Sequence, residues 1–271
     1  MKKKISAIII SAILAVACVM SLAACGSSST ETTAAETTAA DADAATTEAA
    51  SGETLKMVTE ATFPPYEYYD GDTIVGIDVE IAQAIADELG MTLEIQDIAF
   101  DSIITSVQSG KADIGLAGMT VTEDRKESVD FSNTYAHATQ AVIVKEDSTI
   151  TTVDDLKGKT VAVQTGTTGD IYASDIEDVD LKEFTKATDA VLAVVNGQAD
   201  AMIIDSAPAS SYVAANEGLA ILDESFADEE YAIAVKKGNT ELLDKINAAL
   251  EKLESSGELQ KIVDKYIATE N

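Results

Sequence analysis

The order of apolar segments between residues 54 and 271 is the feature that most restricts the fold. Short apolar runs that are typical of strands, such as Leu55–Thr59 and Ala199–Ile204, alternate with segments whose apolar residues recur at helical spacing. Asp78 is predicted to cap one such helix, which ends at Gly90. The apolar face of this helix comprises Val79, Ile81, Ala82, Ile85, Ala86 and Leu89. The alternation predicts an α/β architecture with largely parallel sheets.

One local pattern occurs twice and indicates that the chain contains two similar halves. A predicted helix is followed by Gly, one further residue, Ala-Asp and an apolar strand, at residues 109–114 and again at 196–201. We interpret the two copies as equivalent helix-to-strand connections in two lobes. The alternative is that such connections are common in any α/β protein.

Residues 1–53 have the composition of an export signal followed by a tether. Three lysines precede the apolar segment from Ile5 to Leu22, and Leu-Ala-Ala-Cys then ends at Cys25. This end resembles the lipobox of bacterial lipoproteins, whose cysteine thiol carries lipid after cleavage; an ordinary cleaved signal or an uncleaved anchor is the alternative. Residues 26–53 contain no Val, Ile, Leu or aromatic residue, which predicts disorder, with a weak helical alternative. We therefore expect a signal peptide over 1–24 and a lipid-anchored tether over 25–53.

Charge and the supply of metal ligands exclude several classes of protein. The formal net charge is −30, from 48 acidic residues against 18 lysines and arginines, which disfavours a nucleic-acid partner. The single histidine, His137, makes multi-histidine zinc sites and histidine-based triads hard to build, and we expect it to be structural or incidental. Both cysteines lie within the first 25 residues. We therefore expect no metal and no cofactor.

Arg125 is the only arginine in the chain, whereas every other basic side chain is a lysine. A planar guanidinium forms two parallel hydrogen bonds with a carboxylate, which an ammonium group cannot copy. The retention of one arginine indicates a site that requires this geometry. The alternative is a surface arginine that pairs with Glu123 or Asp124.

Other candidate binding residues follow predicted strands, at the edge where open α/β sheets bind ligands. Gly118 and Thr120 come after a buried strand, although a simple loop turn is the alternative. Thr168 belongs to a Thr-Gly-Thr-Thr-Gly segment between a strand and a helix, where backbone N–H groups attract anions. Asp205 ends a strand, so its carboxylate could pair with an ammonium group or cap the following helix.

Seven segments occur in an order and spacing that is typical of one family. They are Thr59–Tyr68, Gly76–Glu80, Phe100–Ile104, Ala117–Arg125, Val129–Ser132, Val163–Thr168 and Ala199–Asp205. Together they resemble the extracytoplasmic solute-binding proteins of polar-amino-acid ABC transporters (bacterial solute-binding protein family 3). The resemblance covers essentially all of residues 54–271.

The resemblance implies a type II periplasmic-binding-protein fold, in which two α/β lobes are joined by two crossing segments and enclose a ligand between them. One lobe would comprise residues 54–135 plus 232–271, and the other residues 140–226. The crossings would then fall at 136–139 and 227–231. Closure of the lobes on a ligand would be a hinge motion.

The resemblance also implies a role for several of the candidate residues. Arg125 would bind the carboxylate of an amino acid, and the Thr168 amide would meet the same carboxylate from the second lobe. Thr120 would contact both the carboxylate and the amine, while the Gly118 carbonyl would accept a hydrogen bond from the amine.

Three further residues would surround the ligand side chain. Phe63 and Phe100 lie where the family encloses it, although a core position is the alternative for any phenylalanine. Glu60 lies where the family often has an acidic residue for a cationic or amide side chain; the alternative is that it faces solvent. A carboxylate beside two aromatic faces suits a guanidinium or an ammonium, and Ile204 weakens a glutamine assignment. We rank arginine or lysine first, polar neutral amino acids second and acidic ones last.

We therefore expect a non-catalytic receptor, anchored by lipid outside the cytoplasmic membrane, that delivers an amino acid to the permease of an ABC transporter. An enzyme is the first alternative, because cyclohexadienyl-type dehydratases acting on prephenate or arogenate resemble this family and use acidic residues in the cleft. An amino-acid sensor is the second, and we expect it less because no output domain follows the predicted fold.

Overall fold

The computed structural model describes residues 52–224 and 227–267. The predicted signal peptide, Cys25 and nearly all of the predicted tether lie outside these residues, so the expectations for them stay predictions. Within the described ranges, no helix has the length and apolar character needed to cross a membrane.

Strands and helices alternate along the described chain, as the apolar pattern predicts. The strands are β1 (Thr54–Thr59), β2 (Thr62–Phe63), β3 (Glu67–Asp70), β4 (Thr73–Val75), β5 (Thr92–Asp97), β6 (Ile114–Gly115), β7 (Val129–Lys145), β8 (Thr160–Gln164), β9 (Asp180–Phe184), β10 (Ala201–Asp205), β11 (Leu219–Ile221) and β12 (Asp228–Lys236). The helices are α1 (Ile77–Glu88), α2 (Ile103–Ser109), α3 (Glu123–Ser128), α4 (Thr168–Ser174), α5 (Ala187–Val195), α6 (Ser206–Ala215), α7 (Thr240–Ser255) and α8 (Glu258–Tyr266). Short 3₁₀ turns cover Phe100–Ser102 and Val153–Leu156.

The main sheet contains nine strands in the order β5-β1-β6-β12-β7-β10-β8-β9, with β11 paired to β7. Strand β7 links its two halves, since its first part pairs with β12 and its last residues pair with β10 and β11. We call the half built on β1, β5 and β6 lobe one, and the half built on β8, β9 and β10 lobe two. The two-lobed α/β prediction is confirmed, whereas the exact lobe boundaries stay a prediction.

The sheet is mixed, so the expectation of largely parallel pairing is only partly correct. Strand β1 lies parallel to β5 and β6, and β8 lies parallel to β9 and β10. Strands β7 and β12 are antiparallel to each other and to their other partners. They pair side by side where the crossings were expected, with Ala136 opposite Tyr231 and Thr139 opposite Asp228.

Helix α1 begins differently from the prediction, because Asp78 is not its cap. The helix starts at Ile77 after Gly76, and no side chain caps it. The buried Asp78 carboxylate instead accepts hydrogen bonds from the Gly118 backbone N–H (2.8 Å) and the Tyr135 hydroxyl (2.9 Å). An acidic residue at a helix start therefore makes a long-range contact, and this contact fixes the loop that follows β6.

The two copies of the Gly-x-Ala-Asp pattern form equivalent connections. Gly110 and Gly197 both adopt positive φ, 74° and 68°, at the ends of α2 and α5. Asp113 and Asp200 each accept a hydrogen bond from a backbone N–H of the neighbouring parallel strand, at 2.8 Å in lobe one and 2.9 Å in lobe two. The shared geometry agrees with the interpretation of two similar lobes.

Buried apolar side chains hold the strand ends of both lobes in place. The largest cluster includes Leu55 and Ile81 of lobe one and Ile204 of lobe two. Smaller clusters lie around Ile103 in lobe one and Val161 in lobe two. Burying one such side chain contributes about 1.5–3 kcal/mol. Polar residues at the strand ends therefore project from a rigid framework.

Candidate ligand-binding site

A cleft between the lobes contains every residue that the sequence analysis assigned to ligand binding. The predicted residues that line it are Glu60, Phe63, Phe100, Gly118, Thr120, Arg125, Thr168 and Asp205. Glu67, Ala117, Gln164 and Thr167 complete the lining. The cleft has a volume of about 300 Å³.

The parallel strands bring these residues together, because their carboxyl ends meet at the cleft. Glu60 follows β1, Phe100 follows β5 and Gly118 follows β6. Gln164 and Asp205 are the last residues of β8 and β10. This is the edge at which open α/β sheets bind ligands.

Arg125 is held in the cleft by contacts with both lobes. Its guanidinium donates hydrogen bonds to the carbonyl oxygens of Thr120 (2.7 Å) and Gly166 (3.0 Å), and its central carbon lies 5.3 Å from the centre of the Phe100 ring. The alternative of a surface arginine is wrong, since Arg125 is only 8% exposed and Glu123 pairs with a lysine. Burial lowers the pKa of Arg125, and the nearby carboxylates partly offset this effect. A guanidinium has five N–H donors, so donors remain for a ligand carboxylate.

Gly118 occupies a position that other residues could not fill without strain. Its φ of 51° lies in the left-handed region, and a Cβ there would lie 2.6 Å from the Phe63 ring. Its backbone N–H donates to Asp78. The loop after β6 therefore brings its backbone close to the aromatic wall of the cleft.

Phe63 and Phe100 both line the cleft and also pack in the apolar clusters of the protein. They are 7% and 9% exposed, so each is part of the apolar core and also faces the cleft. The Phe63 ring lies 6.0 Å from that of Tyr66.

Glu60 is buried in the cleft, so the alternative that it faces solvent is wrong. One oxygen accepts hydrogen bonds from the Thr62 hydroxyl (2.7 Å) and the Gln164 amide (2.8 Å), while Oε1 has no well-formed partner. Burial raises the pKa of Glu60, and the two hydrogen bonds partly offset this rise.

Asp205 precedes α6 but makes no side-chain capping bond, which removes the helix-cap explanation. Its Oδ1 is buried without a well-formed partner. Burial, and then the charge of Glu229, raise the pKa of Asp205 to about 7. A positively charged group in the cleft would favour the ionised form of Asp205 and would offset both its burial and its repulsion by Glu229.

The threonines on either side of the cleft share one buried carboxylate. The hydroxyl groups of Thr120 and Thr168 both donate to Glu229, the latter at 3.0 Å. Thr168 also accepts a hydrogen bond from the Gln140 amide at 3.3 Å. Glu229 is 1% exposed.

Three further residues of this region, Glu67, Gln164 and Glu229, were not predicted from the sequence. Glu67 is buried against Asp78, and burial raises its pKa well above the ordinary value. The signal for Glu229 was available in the alternation of β12, which places it on the buried face with Tyr231. Among residues 52–224 and 227–267, no group of three or more His, Cys, Asp or Glu side chains is arranged to hold a metal ion.

Comparison with known proteins identifies the family. A profile of the bacterial extracellular solute-binding proteins, family 3, matches residues 55–269. The arginine-binding extracellular protein ArtP of Bacillus subtilis (strain 168) is 36% identical over 265 residues, which cover 95% of this chain and 97% of ArtP.

Solved structures agree with this assignment. An ancestral arginine-binding protein bound to arginine is 44% identical, with a TM-score of 0.76 and coverage of 79% of this chain and 98% of that chain. The ancestral amino acid-binding protein AncCDT-1, described as a precursor of cyclohexadienyl dehydratase, is 36% identical, with a TM-score of 0.75 and coverage of 79% and 95%. The chain described here therefore belongs to the bacterial extracellular solute-binding proteins of family 3.

Proposed function

We propose that this protein is a non-catalytic receptor that binds a cationic amino acid, with arginine ranked first, and delivers it to the permease of an ABC transporter. The observation that carries the proposal is the charge of the cleft. Its lining holds three carboxyl groups, from Glu60, Glu67 and Asp205, and one guanidinium, from Arg125. Each of the three carboxyl groups has a buried oxygen without a well-formed partner.

The three charged groups of a cationic amino acid match this arrangement. Arg125 would bind the α-carboxylate in a charge-assisted, bidentate manner. Asp205 would pair with the α-ammonium. Glu60 would bind the side-chain cation, which would lie against Phe63 and Phe100. A ligand with net positive charge would also reduce the repulsion among the buried carboxylates.

The same charges argue against other amino acids. Glutamate would bring a carboxylate towards Glu60, and like charges in a desolvated site repel strongly. Glutamine offers N–H donors to Glu60 but no charge, so it ranks below arginine. The arginine-binding names of ArtP and of the ancestral protein support this order.

A dehydratase on the same fold is the competing proposal, and the raised pKa values of Glu67 and Asp205 are the feature that favours it. Carboxyl groups with raised pKa values can act as general acids. The relatives reported above are described as binding proteins, AncCDT-1 included, and this supports the receptor.

Titration calorimetry with the twenty amino acids tests the proposal directly. We expect arginine to bind most tightly, lysine and glutamine less tightly, and glutamate not detectably. Tight binding of glutamate would contradict the charge argument. Turnover of prephenate or arogenate by the purified protein would contradict the non-catalytic assignment.

The proposed location is the outer face of the cytoplasmic membrane, with attachment through lipid on Cys25. Expression of the full chain in a bacterium should place it in the membrane fraction, and Cys25→Ser should release it. A matched Cys18→Ser variant should remain in the membrane fraction. Release of the Cys18 variant, or retention of the Cys25 variant, would contradict the lipid attachment site.

A further inference from the structure

Glu229 lies on β12, where this strand pairs with β7 between the lobes. Its side chain is 1% exposed, whereas Glu230 beside it is exposed, as the alternation of a strand requires. The carboxylate accepts hydrogen bonds from Thr120 of lobe one and from Thr168 of lobe two. One buried oxygen, Oε2, therefore contacts hydroxyl groups from both sides of the cleft.

These contacts fix the direction of two protons. A threonine hydroxyl has one proton to donate and two lone pairs that accept. Because both hydroxyl groups donate to Glu229 Oε2, both of their protons point towards this oxygen. The oxygens of Thr120 and Thr168 can then act only as acceptors towards other partners, as Thr168 does towards Gln140.

The negative charge of Glu229 acts to raise the pKa of each ionisable neighbour. Its carboxylate favours the cationic form of Arg125, and it raises the pKa of Asp205. Burial and the Glu229 carboxylate also raise the pKa of Tyr172 on α4. Around the two threonines, the Glu229 and Asp205 carboxylates thus accompany the single positive charge of Arg125, and the threonine oxygens offer acceptors that suit an ammonium group.

We propose that Glu229 is a positioning residue for the α-ammonium group of the ligand, and that it acts by holding Thr120 and Thr168 as hydrogen-bond acceptors. The inference rests on the proposed function, since it requires an amino acid as ligand. Glu229, on the crossing strand β12, would thereby select ligands that have an amine at the α-carbon. Because the threonines come from different lobes, this selection is complete only in the closed cleft.

The test compares two ligands that differ only in the α-amine, L-arginine and 5-guanidinopentanoic acid. Glu229→Gln removes the charge, and the new amide N–H can donate to one of the threonines. The hydroxyl proton of that threonine is then free to turn away. We expect this variant to lose about tenfold or more in affinity for arginine. The affinity for the analogue should change by less than about threefold.

Glu230→Gln is the matched control, because it removes the same charge from the adjacent exposed position. It should leave both affinities unchanged. Thr168→Val is the second variant. It keeps the side-chain shape and tests the inference even if Glu229→Gln does not fold. It should show the same preferential loss for arginine, and the double variant should lose less than the sum of the two single effects.

Equal losses for arginine and the analogue would overturn the inference, because a merely structural role would weaken both. The proposed function would survive that result, since wild-type binding of arginine tests it separately. If the wild type bound none of the twenty amino acids, the proposed function would fall and this inference with it.

Discussion

At the scale of single residues, contacts with both lobes orient the Arg125 guanidinium in the cleft. Two carbonyl oxygens, from Thr120 and Gly166, hold the guanidinium plane from opposite lobes. The Phe100 ring lies beside it. If Arg125 binds a ligand carboxylate as proposed, its oriented donors would reduce the entropy lost on binding.

Arg125→Lys should weaken arginine binding severely and leave the fold intact. A lysine keeps the charge but cannot form the two parallel hydrogen bonds of a guanidinium, and disruption of a buried, charged hydrogen-bond pair typically costs about 2–5 kcal/mol. Calorimetry measures the affinity, and circular dichroism checks the fold. Lys126→Gln on the same helix is the control; Lys126 is exposed and pairs with Glu123. An unchanged affinity in the Arg125 variant would show that the carboxylate binds elsewhere.

Glu60→Gln should alter the choice of ligand more than the overall affinity of the site. Loss of the charge should weaken arginine and lysine most, by about tenfold for a charge-assisted contact. Glutamine should be affected least. Glu94→Gln removes the same charge from an exposed position on β5 and should have no effect. If all three ligands lost affinity equally, Glu60 would have no part in recognising the side chain.

At the scale of secondary-structure elements, local signals predict helices well and long strands poorly. Gly110 was predicted to end α2 and does so with positive φ. The apolar face of α1 is buried as predicted over Ile81, Ala82, Ile85 and Ala86. Such signals succeed because helix periodicity and glycine stops are local properties of the chain.

Strands β7 and β12 could not be predicted from the sequence, since neither has a uniform pattern. The first part of β7 is half exposed, while its last residues are buried in lobe two. The two strands pair across about a hundred residues of sequence, and two register shifts interrupt their ladder. No short window of sequence contains that information.

The same contrast holds in the cleft. Eight residues predicted largely from family resemblance come together there, although their contacts with a ligand stay predictions. Glu229 escaped notice because its partners, Thr120 and Thr168, lie 109 and 61 residues away. Asp78 was misread as a cap for the same reason, since its partner Gly118 lies 40 residues further along the chain.

Helix α6 provides a direct contact between the lobes that does not depend on the charges of the ligand. The Tyr212 hydroxyl donates to the carbonyl oxygen of Thr62 in β2. Tyr212→Phe keeps the ring and removes one hydrogen bond, worth about 0.5–1.5 kcal/mol. Because the contact favours the closed cleft, arginine and lysine should lose affinity by similar factors.

Tyr266→Phe is the control for this prediction. Its hydroxyl contacts Glu80, and both residues belong to lobe one. The control should affect thermal stability only. A loss of affinity in the Tyr266 variant that equals the loss in the Tyr212 variant would show that general destabilisation, and not the contact between lobes, explains the result.

At the scale of the whole molecule, ligand binding should both close the lobes and stabilise the folded protein. Arg125 and Asp205 come from different lobes, so a ligand that contacts both favours the closed form. A ligand that binds only the folded protein stabilises it by about 2.7 kcal/mol at roughly 100 times its Kd. Arginine should therefore raise the melting temperature and reduce the radius of gyration in small-angle scattering. A stabilised protein with no compaction would contradict closure.

The pH dependence of stability follows from the buried carboxyl groups. Burial raises the pKa of Asp78 to about 6, and burial with the Glu229 charge raises that of Asp205 to about 7. A carboxyl group with a higher pKa in the folded state binds its proton more tightly there than in the unfolded chain. Its contribution to stability is therefore fully present below the unfolded pKa of about 3.9 and is lost as pH rises through the folded value.

The ligand-free protein should accordingly lose thermal stability between about pH 4 and pH 7.5, and Asp205→Asn should reduce that slope. Asp147→Asn, on an exposed loop, is the control for the general repulsion of a chain with net charge −30, and it should leave the slope nearly unchanged.

Arginine affinity should change in the opposite direction and rise from pH 5 to pH 7.5, because the α-ammonium requires ionised Asp205. Melting curves and calorimetry across this range measure both trends. A wild-type affinity that is independent of pH would contradict the pairing of Asp205 with the ammonium group.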